Sequence, residues 1–371
     1  MKNTNCTAII CEYNPFHNGH AYQLSEARKF SDVILCVMSG NTVQRGGFSC
    51  ADKYERAKIA IDNGADLVVE HPFPYCSSSA ADFAQSAIHI ANCLCSDYLA
   101  FGHESDETTL IEIADLLSKK NYSTWISTEY KTNKNIKNLS FPKLREIYLA
   151  NVLGEEKASV MKLPNNILSV EYLLSLKQYP KIKPIFIKRN FAHISAGCIR
   201  EKIAKLETVE KHVPQLPQSI FSIDKADLSV LTHLNLLSKY DEVYDCDESL
   251  FNRIISHAKF SVSIDELIQK CTTSAYTSSK VRRAVFSIFF STKKETVKEP
   301  PSFTVLLGAS EKGLRYLSEN KKSFTIPILT RATDEAKFNL NTEPNFKADR
   351  IFKLVQGERY TPYLKPYISK K

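Results

Sequence analysis

Residues 12–20 read Glu12-Tyr13-Asn14-Pro15-Phe16-His17-Asn18-Gly19-His20, and this stretch sits between an apolar run at 7–11 and an amphipathic segment at 19–30. An apolar run, a turn carrying Pro and Gly, and then helical periodicity predict strand, turn and helix in that order. The pattern repeats outward. Strands are expected over 32–38, 66–70 and 97–101, with helices over 51–63 and 79–95 between them. Such alternation predicts an α/β fold, a Rossmann-like domain with a parallel sheet covered by helices on both faces. In that architecture ligands lie beyond the carboxyl ends of the strands, where residues 12–20 fall. The glycines agree, because six of the 11 stand at 19, 40, 46, 47, 64 and 102. Gly19, Gly40 and Gly102 each follow an apolar strand, where the backbone turns or approaches a ligand closely.

The chemistry is carried by the same stretch. His17 and His20, separated by Asn18 and Gly19 at a helix N-terminus, can both address one phosphate where free N–H groups and the helix dipole already favour an anion. Donors aimed at an α-phosphate stabilise the charge-rich transition state in which an acid displaces pyrophosphate. Gly19 leaves room for adenine or ribose. A second element, Ile194-Ser195-Ala196-Gly197-Cys198-Ile199-Arg200, offers Ser195 as a helix N-cap and Arg200 one turn later. Together Ser195 and Arg200 are expected to hold the outer phosphates of the leaving group. Ser39, Asn41, Gln44 and Arg45 form a polar loop after the second strand, read either as pocket lining or as a structural turn. Lys53 and Arg56, one helical turn apart, are read either as facing RNA phosphate or as solvated cations. Tyr75 and Tyr98 are expected in the core.

Charge and cysteine usage narrow the class. The net charge of +8 is uneven: residues 1–110 carry 7 Lys and Arg against 13 Asp and Glu, and the remainder carries 42 against 28. A polyanion such as RNA is therefore drawn to the later part. The ten cysteines include no C-x-x-C pair, and Cys11, Cys36 and Cys93 lie in apolar runs. They are expected to be reduced and buried, with no metal centre. No apolar run is long enough to span a bilayer, and the N-terminus lacks a signal-peptide pattern, so a cytoplasmic protein without a membrane partner is expected.

The catalytic domain is expected to span 1–206, interrupted by a basic, largely helical insertion at about 118–160. In that insertion Lys131, Lys134, Lys137, Lys143 and Arg145, with Tyr130 and Tyr148, suit an RNA surface. Alternation resumes with a helix at 166–178, a strand at 182–187 and a helix from about 195. Residues 207–371 are expected to form a mainly helical region whose basic charge suits RNA, with helices over 228–237, 250–258, 264–270 and 278–290. A small mixed α/β tail follows, with strands at 303–307 and 323–329 around a helix at 311–319.

The two motifs resemble the nucleotidyltransferase superfamily, with its HxGH histidine pair and ISSTxIR element. Further stretches narrow the likeness: 39–46 (SGNTVQRG), Asp52-Lys53, 63–70 (NGADLVVE), Pro72-Phe73, Phe101-Gly102 with Glu104-Ser105, and 164–168 (PNNIL). With Ile187-Lys188-Arg189, 305–308 (VLLG) and 326–330 (IPILT), the chain resembles the bacterial tRNA(Met) cytidine acetate ligases. The resemblance implies ATP as substrate, with Mg2+ accompanying it, and acetate and elongator tRNA(Met) as partners. It also implies activation of acetate as acetyl-adenylate and acetylation of the wobble cytidine. Carried onto this sequence, the ATP site comprises Cys11, Glu12, Tyr13, Asn14, Pro15, Phe16, His17, Asn18, Gly19, His20, Ala21, Tyr22, Gln23 and Leu24. It is joined by Gly102, Asn166, Arg189 and Asn190, with His17, His20, Ser195 and Arg200 as catalytic residues. Three departures stand out: Gly197 replaces a Thr, the segment between Lys188 and Ile194 is short, and His71 and His103 replace an apolar residue and a Ser. They leave open two alternatives, an adenylyltransferase acting on a small metabolite and a non-catalytic RNA-binding relative. Oligomeric state is not legible.

Overall fold

A computed structural model describes residues 4–133, 136, 139–190, 192–221, 224–331, 334–361 and 366–369, of which 130, 131 and 335 are described in backbone alone. Its first half follows the expected alternation. Strand β1 (Cys6–Cys11) leads into α1 (Asn18–Ala27), β2 (Val33–Ser39), α2 (Lys53–Asp62), β3 (Leu67–His71), α3 (Ala80–Cys93) and β4 (Tyr98–His103). Every residue of β2 and β3 is buried, as strands covered on both faces require. Helix α4 (Glu107–Leu117) follows, and three helices, α5 (Lys120–Thr132), α6 (Phe141–Leu153) and α7 (Glu155–Ser159), fall in the insertion before α8 (Pro164–Leu176), β5 (Lys183–Lys188) and α9 (Ala196–Ala204).

The later part supplies helices α10 (Lys225–Leu236), α11 (Glu248–Ala258), α12 (Ile264–Cys271), α13 (Ser278–Phe290) and α14 (Lys294–Lys298). The chain then runs through β6 (Thr304–Ala309), α15 (Glu311–Asn320), β7 (Ile328–Leu329), α16 (Asp334–Phe338), α17 (Glu343–Gln356) and β8 (Tyr367–Ile368).

The strand order is β5-β4-β1-β2-β3-β6-β7, with β8 also on β6. The pairings among β1 to β5 are all parallel. Because the chain moves from β1 out to β3 and then returns to the other side of β1 at β4, the strand order reverses there. Residues 12–20 leave the sheet at that switch point.

Two departures from the sequence reading concern the tail. β6 pairs antiparallel with β3, so the sheet is mixed, and the tail completes it instead of standing apart. The physical reason is the edge that β3 would otherwise leave open, which the wholly buried strand TVLLGA closes. The strand expected at 323–329 shrinks to Ile328–Leu329, since Pro327 has no N–H to give a ladder. Packing also crosses the division at 206. Phe48 packs at 5.7–5.9 Å, centroid to centroid, against Phe221, Phe286, Phe290 and Phe352, so the core of the helical region reaches into the first fifty residues. All ten cysteines are free and eight are buried.

Candidate active site

The turn from β1 into α1 is built by its own histidines. His17 is the N-cap in extended conformation, and its Nδ1 accepts the Gly19 N–H at 3.0 Å. His20, at the third helical position, returns the arrangement by accepting the His17 N–H on Nδ1 at 3.2 Å. This is a capping box made from imidazoles. It stacks the two rings 3.7 Å apart at an interplanar angle of 19°. Backbone donors on both Nδ1 atoms leave the ring proton on each Nε2. Burial, then the proximity of His193 and Arg189, pushes His17 down to about 4; burial and then His17 hold His20 well below the ordinary imidazole value. Two neutral N–H donors result. Gly19 is required, because a Cβ there would lie 2.9 Å from His17 Cε1.

Tyr13 sits just before the turn with a φ of 48°, a left-handed conformation uncommon for a bulky residue. Its ring is 1% exposed, so packing holds it there.

The turn forms one wall of a cavity of about 540 Å3. Cys11, Glu12, Tyr13, Asn14, His17, Gly19, His20, Tyr22 and Gln23 line it, and so do Gly102, Arg189, Asn190, Ser195 and Arg200. Pro15, Phe16, Asn18, Ala21 and Leu24 do not. Phe16 and Leu24 turn into the core, and Asn18 Nδ2 donates to the Lys211 carbonyl at 2.9 Å. The helical period puts only one face of α1 on the cavity.

Asn166 is the clearest displacement. It is fully buried, accepting from the Glu104 N–H at 2.9 Å and donating to Ser105 Oγ and the Val160 carbonyl. With donors and acceptor engaged it clamps the end of β4 to α8, and its neighbour Asn165 lines the cavity instead. Asn165 and Arg189 both reach the Glu104 carboxylate, so Arg189 stands at the rim with a fixed partner.

Opposite the histidines, α9 points its N-terminus at the cavity. Ser195 Oγ caps it by accepting the Cys198 N–H at 3.2 Å, and Arg200 donates to the Asn14 carbonyl at 2.5 Å. That bond ties the two motifs together. A Cβ at Gly197 would be 3.6 Å from Ser195 Oγ, so the position has space for a side chain.

The polar loop divides. Gln44 and Arg45 line the cavity, with Glu12 accepting the Gln44 N–H at 2.7 Å. Asn41 is buried beneath, between Asp349 and the Lys53 N–H, and Ser39 is fully buried. Lys53 and Arg56 are 1% and 0% exposed and face neither solvent nor RNA. Lys53 Nζ contacts Glu70 at 2.7 Å and Asp349 at 2.6 Å. Arg56 donates to the carbonyls of Glu12, Ser39, Gly40 and Ala51, pinning the strand ends under the loop. Helical spacing cannot distinguish a solvated cation from a buried one whose partner lies about 300 residues away.

Sequence reading also missed His193 and the apolar wall of Phe83, Phe101, Leu168 and Tyr172. Only the proximity of His193 to the second motif signalled it. His71 and His103 are buried packing residues: His71 Nε2 is 2.8 Å from Ser86 Oγ, with burial pushing its ring down to about 3, and His103 Nδ1 is 2.7 Å from the Ser105 carbonyl. Tyr98 packs at the core edge, whereas Tyr75 opens a short 3-10 turn.

In the insertion, Arg145 pairs with Glu171 at 2.7 Å and Tyr148 is 5% exposed, so neither belongs to an RNA surface. Lys143 is exposed beside Glu146. Lys134, Lys137 and the side chains of Tyr130 and Lys131 lie outside the described residues. Among the described residues no three His, Cys, Asp or Glu gather as a metal site, and no helix is long and apolar enough to cross a membrane.

With this geometry in place, the chain is similar to known proteins along nearly its whole length. The HIGH Nucleotidyl Transferase family model matches residues 4–364. A tRNA(Met) cytidine acetate ligase of Thermoanaerobacter sp. (strain X514) is 33% identical over 373 residues, covering 92% of each chain. One from Caldanaerobacter subterraneus subsp. tengcongensis is 34% identical over 357 residues, covering 87% of this chain and 88% of that protein. The crystal structure of Thermotoga maritima TmcAL bound with alpha-thio ATP superposes with a TM-score of 0.88 at 25% identity, covering 98% of this chain and 100% of that one.

Proposed function

The chain belongs to the HIGH nucleotidyl transferases and, within them, to the tRNA(Met) cytidine acetate ligase family, and from that premise we propose that it acetylates tRNA through an acetyl-adenylate. ATP and acetate form the mixed anhydride with loss of pyrophosphate. The acetyl group then passes to the exocyclic amine of the wobble cytidine in elongator tRNA(Met), giving acetylcytidine.

The observation that carries this reading is the pair of stacked, neutral imidazoles with both Nδ1 atoms filled by backbone N–H groups. Their Nε2–H groups are preorganised donors for the oxygens of the α-phosphate, where negative charge gathers as the carboxylate attacks. Being uncharged, they stabilise that charge without binding ATP so tightly in the ground state that the barrier is left unchanged. Arg200 and the N-terminus of α9 suit the outer phosphates that leave as pyrophosphate. Gly102 and the apolar wall suit a nucleoside. Mg2+ enters with the triphosphate, held mainly by phosphate oxygens and water, and neutralises its charge.

The test is incubation with ATP, labelled acetate and bulk tRNA followed by nucleoside analysis, with acetylcytidine in the digest as the expected result. His20→Ala removes one donor and should lower acetate-dependent pyrophosphate release by about 10²- to 10³-fold with the fold retained. Undiminished release by that variant would refute the role of the histidines.

A further inference from the structure

The proposed reaction has a second half that the two motifs leave without a base. When the amine attacks, its lone pair forms the N–C bond to the acetyl carbon. The bond from that carbon to the phosphate oxygen breaks with both electrons on oxygen, AMP departs, and one proton must leave the nitrogen.

The cavity holds few groups able to take that proton. His17 and His20 have their Nδ1 lone pairs committed to backbone donors and carry hydrogen on Nε2, so both rings donate. Glu104 is bound by Arg189 and Asn165. Burial pushes the Cys11 thiol and the Tyr172 phenol up, away from any role as a base near neutrality.

His193 differs from all of these. It lines the cavity, and its Cβ lies 3.4 Å from where a Gly19 Cβ would be, directly beside the histidine turn. Its backbone is fixed by a bond from its N–H to the Asn190 carbonyl at 3.2 Å. Its ring stands 6.3 Å from Tyr22 by centroid, and among the described residues it makes no hydrogen bond. The charged and titratable groups lining this end of the cavity are His17 at the N-cap of α1, Tyr22 on α1, Lys188 and Arg189 at the end of β5, and Arg200 on α9. The acetyl carbon of the adenylate is one oxygen away from the α-phosphorus, so a base for its attacker must sit beside the α-phosphate site.

We propose that His193 is the proton acceptor of acetyl transfer, its imidazole taking the proton released by the attacking exocyclic amine and passing it to solvent. The proposal rests on the adenylate reading above. It divides the cavity's three imidazoles by protonation state, two fixed as donors and one free to accept.

The test separates the half-reactions of the full-length enzyme. Acetate-dependent exchange of pyrophosphate into ATP reads adenylate formation, and single-turnover transfer from preformed adenylate to tRNA reads the second step. His193→Gln should lower transfer relative to exchange by about 10²-fold or more and erase the acid limb of the transfer pH profile. In His193→Ala, added imidazole should restore transfer, which a purely structural role does not allow. Equal losses in exchange and transfer, or an acid limb that survives in His193→Gln, would overturn the proposal and turn attention to the uncommitted oxygen of Glu12. Wild-type enzyme lacking acetate-dependent exchange would overturn the adenylate reading along with it.

Discussion

Single atoms govern the histidine turn. A Gly19→Ala methyl would meet His17 Cε1 at 2.9 Å and Nδ1 at 3.0 Å, so the ring must swing and give up the Gly19 N–H. Adenylate formation should fall by about 10²-fold, the usual consequence of a misplacement near 1 Å, while the melting temperature changes little. Protonation reaches the same atoms. His17 and His71 are held at about 4 and about 3, and His20 well below its ordinary value, so the folded state keeps these rings neutral where the unfolded chain binds protons. Stability is therefore lost as pH falls from about 6.5 toward 4. Asp349 acts in the opposite sense: burial raises its carboxyl to about 7, so the folded state keeps a proton that the unfolded chain releases from about pH 4 upward. Three imidazoles outweigh one carboxyl, and urea midpoints should drop between about pH 7 and pH 5. In Asp349→Asn the drop should steepen by about one proton; an unchanged slope would mean that Asp349 is ionised throughout.

Elements were legible where local periodicity decides them, and much less so where a distant partner does. The strand–helix alternation through residue 103 and the exit of His17 from β1 followed from runs of buried residues and turn chemistry. The direction of β6 did not, because a strand's pattern records burial on its faces and not which neighbour it joins. Nor did the orientation of α2, whose Lys53 and Arg56 carry the same spacing as a solvated face. In the fold, Lys53 Nζ sits between the buried carboxyl groups of Glu70 and Asp349, the one cation that contacts both among the described residues, with Asn41 and Asn345 completing the hydrogen bonds. Lys53→Met leaves two carboxyl groups buried without a counter-charge and should cost about 3–5 kcal/mol, measured by urea denaturation. A loss under about 1 kcal/mol would show that the cluster relaxes into water.

At the scale of the molecule, the acidic first part carries the histidine turn, while the basic remainder supplies Arg189, Ser195 and Arg200 to the same cavity and most of the positive charge. If the remainder holds tRNA, the KM for tRNA should rise steeply between about 50 and 200 mM salt, linear on a log–log plot, while acetate-dependent pyrophosphate exchange changes far less. Parallel salt responses would place the RNA elsewhere or make its binding non-ionic. Where the RNA lies was the least legible feature. Of the residues singled out in the insertion, Arg145 and Tyr148 proved to be core, because a basic and aromatic composition serves a helix packed on Glu171 as well as it serves a phosphate backbone.

The joining of α17 to the floor of the polar loop also has a consequence for synthesis. A nascent chain that has emerged past Arg200 carries both the histidine turn and the Ser195–Arg200 element, yet Lys53 and Glu70 still lack Asp349 and Asn345, and β3 still lacks β6. At about 5–20 residues per second the missing parts arrive on the order of ten seconds later. The loop bearing Gln44 and Arg45, held until then by Glu12 and Arg56, gains its contact with α17 only at that stage, so its floor is closed late in synthesis.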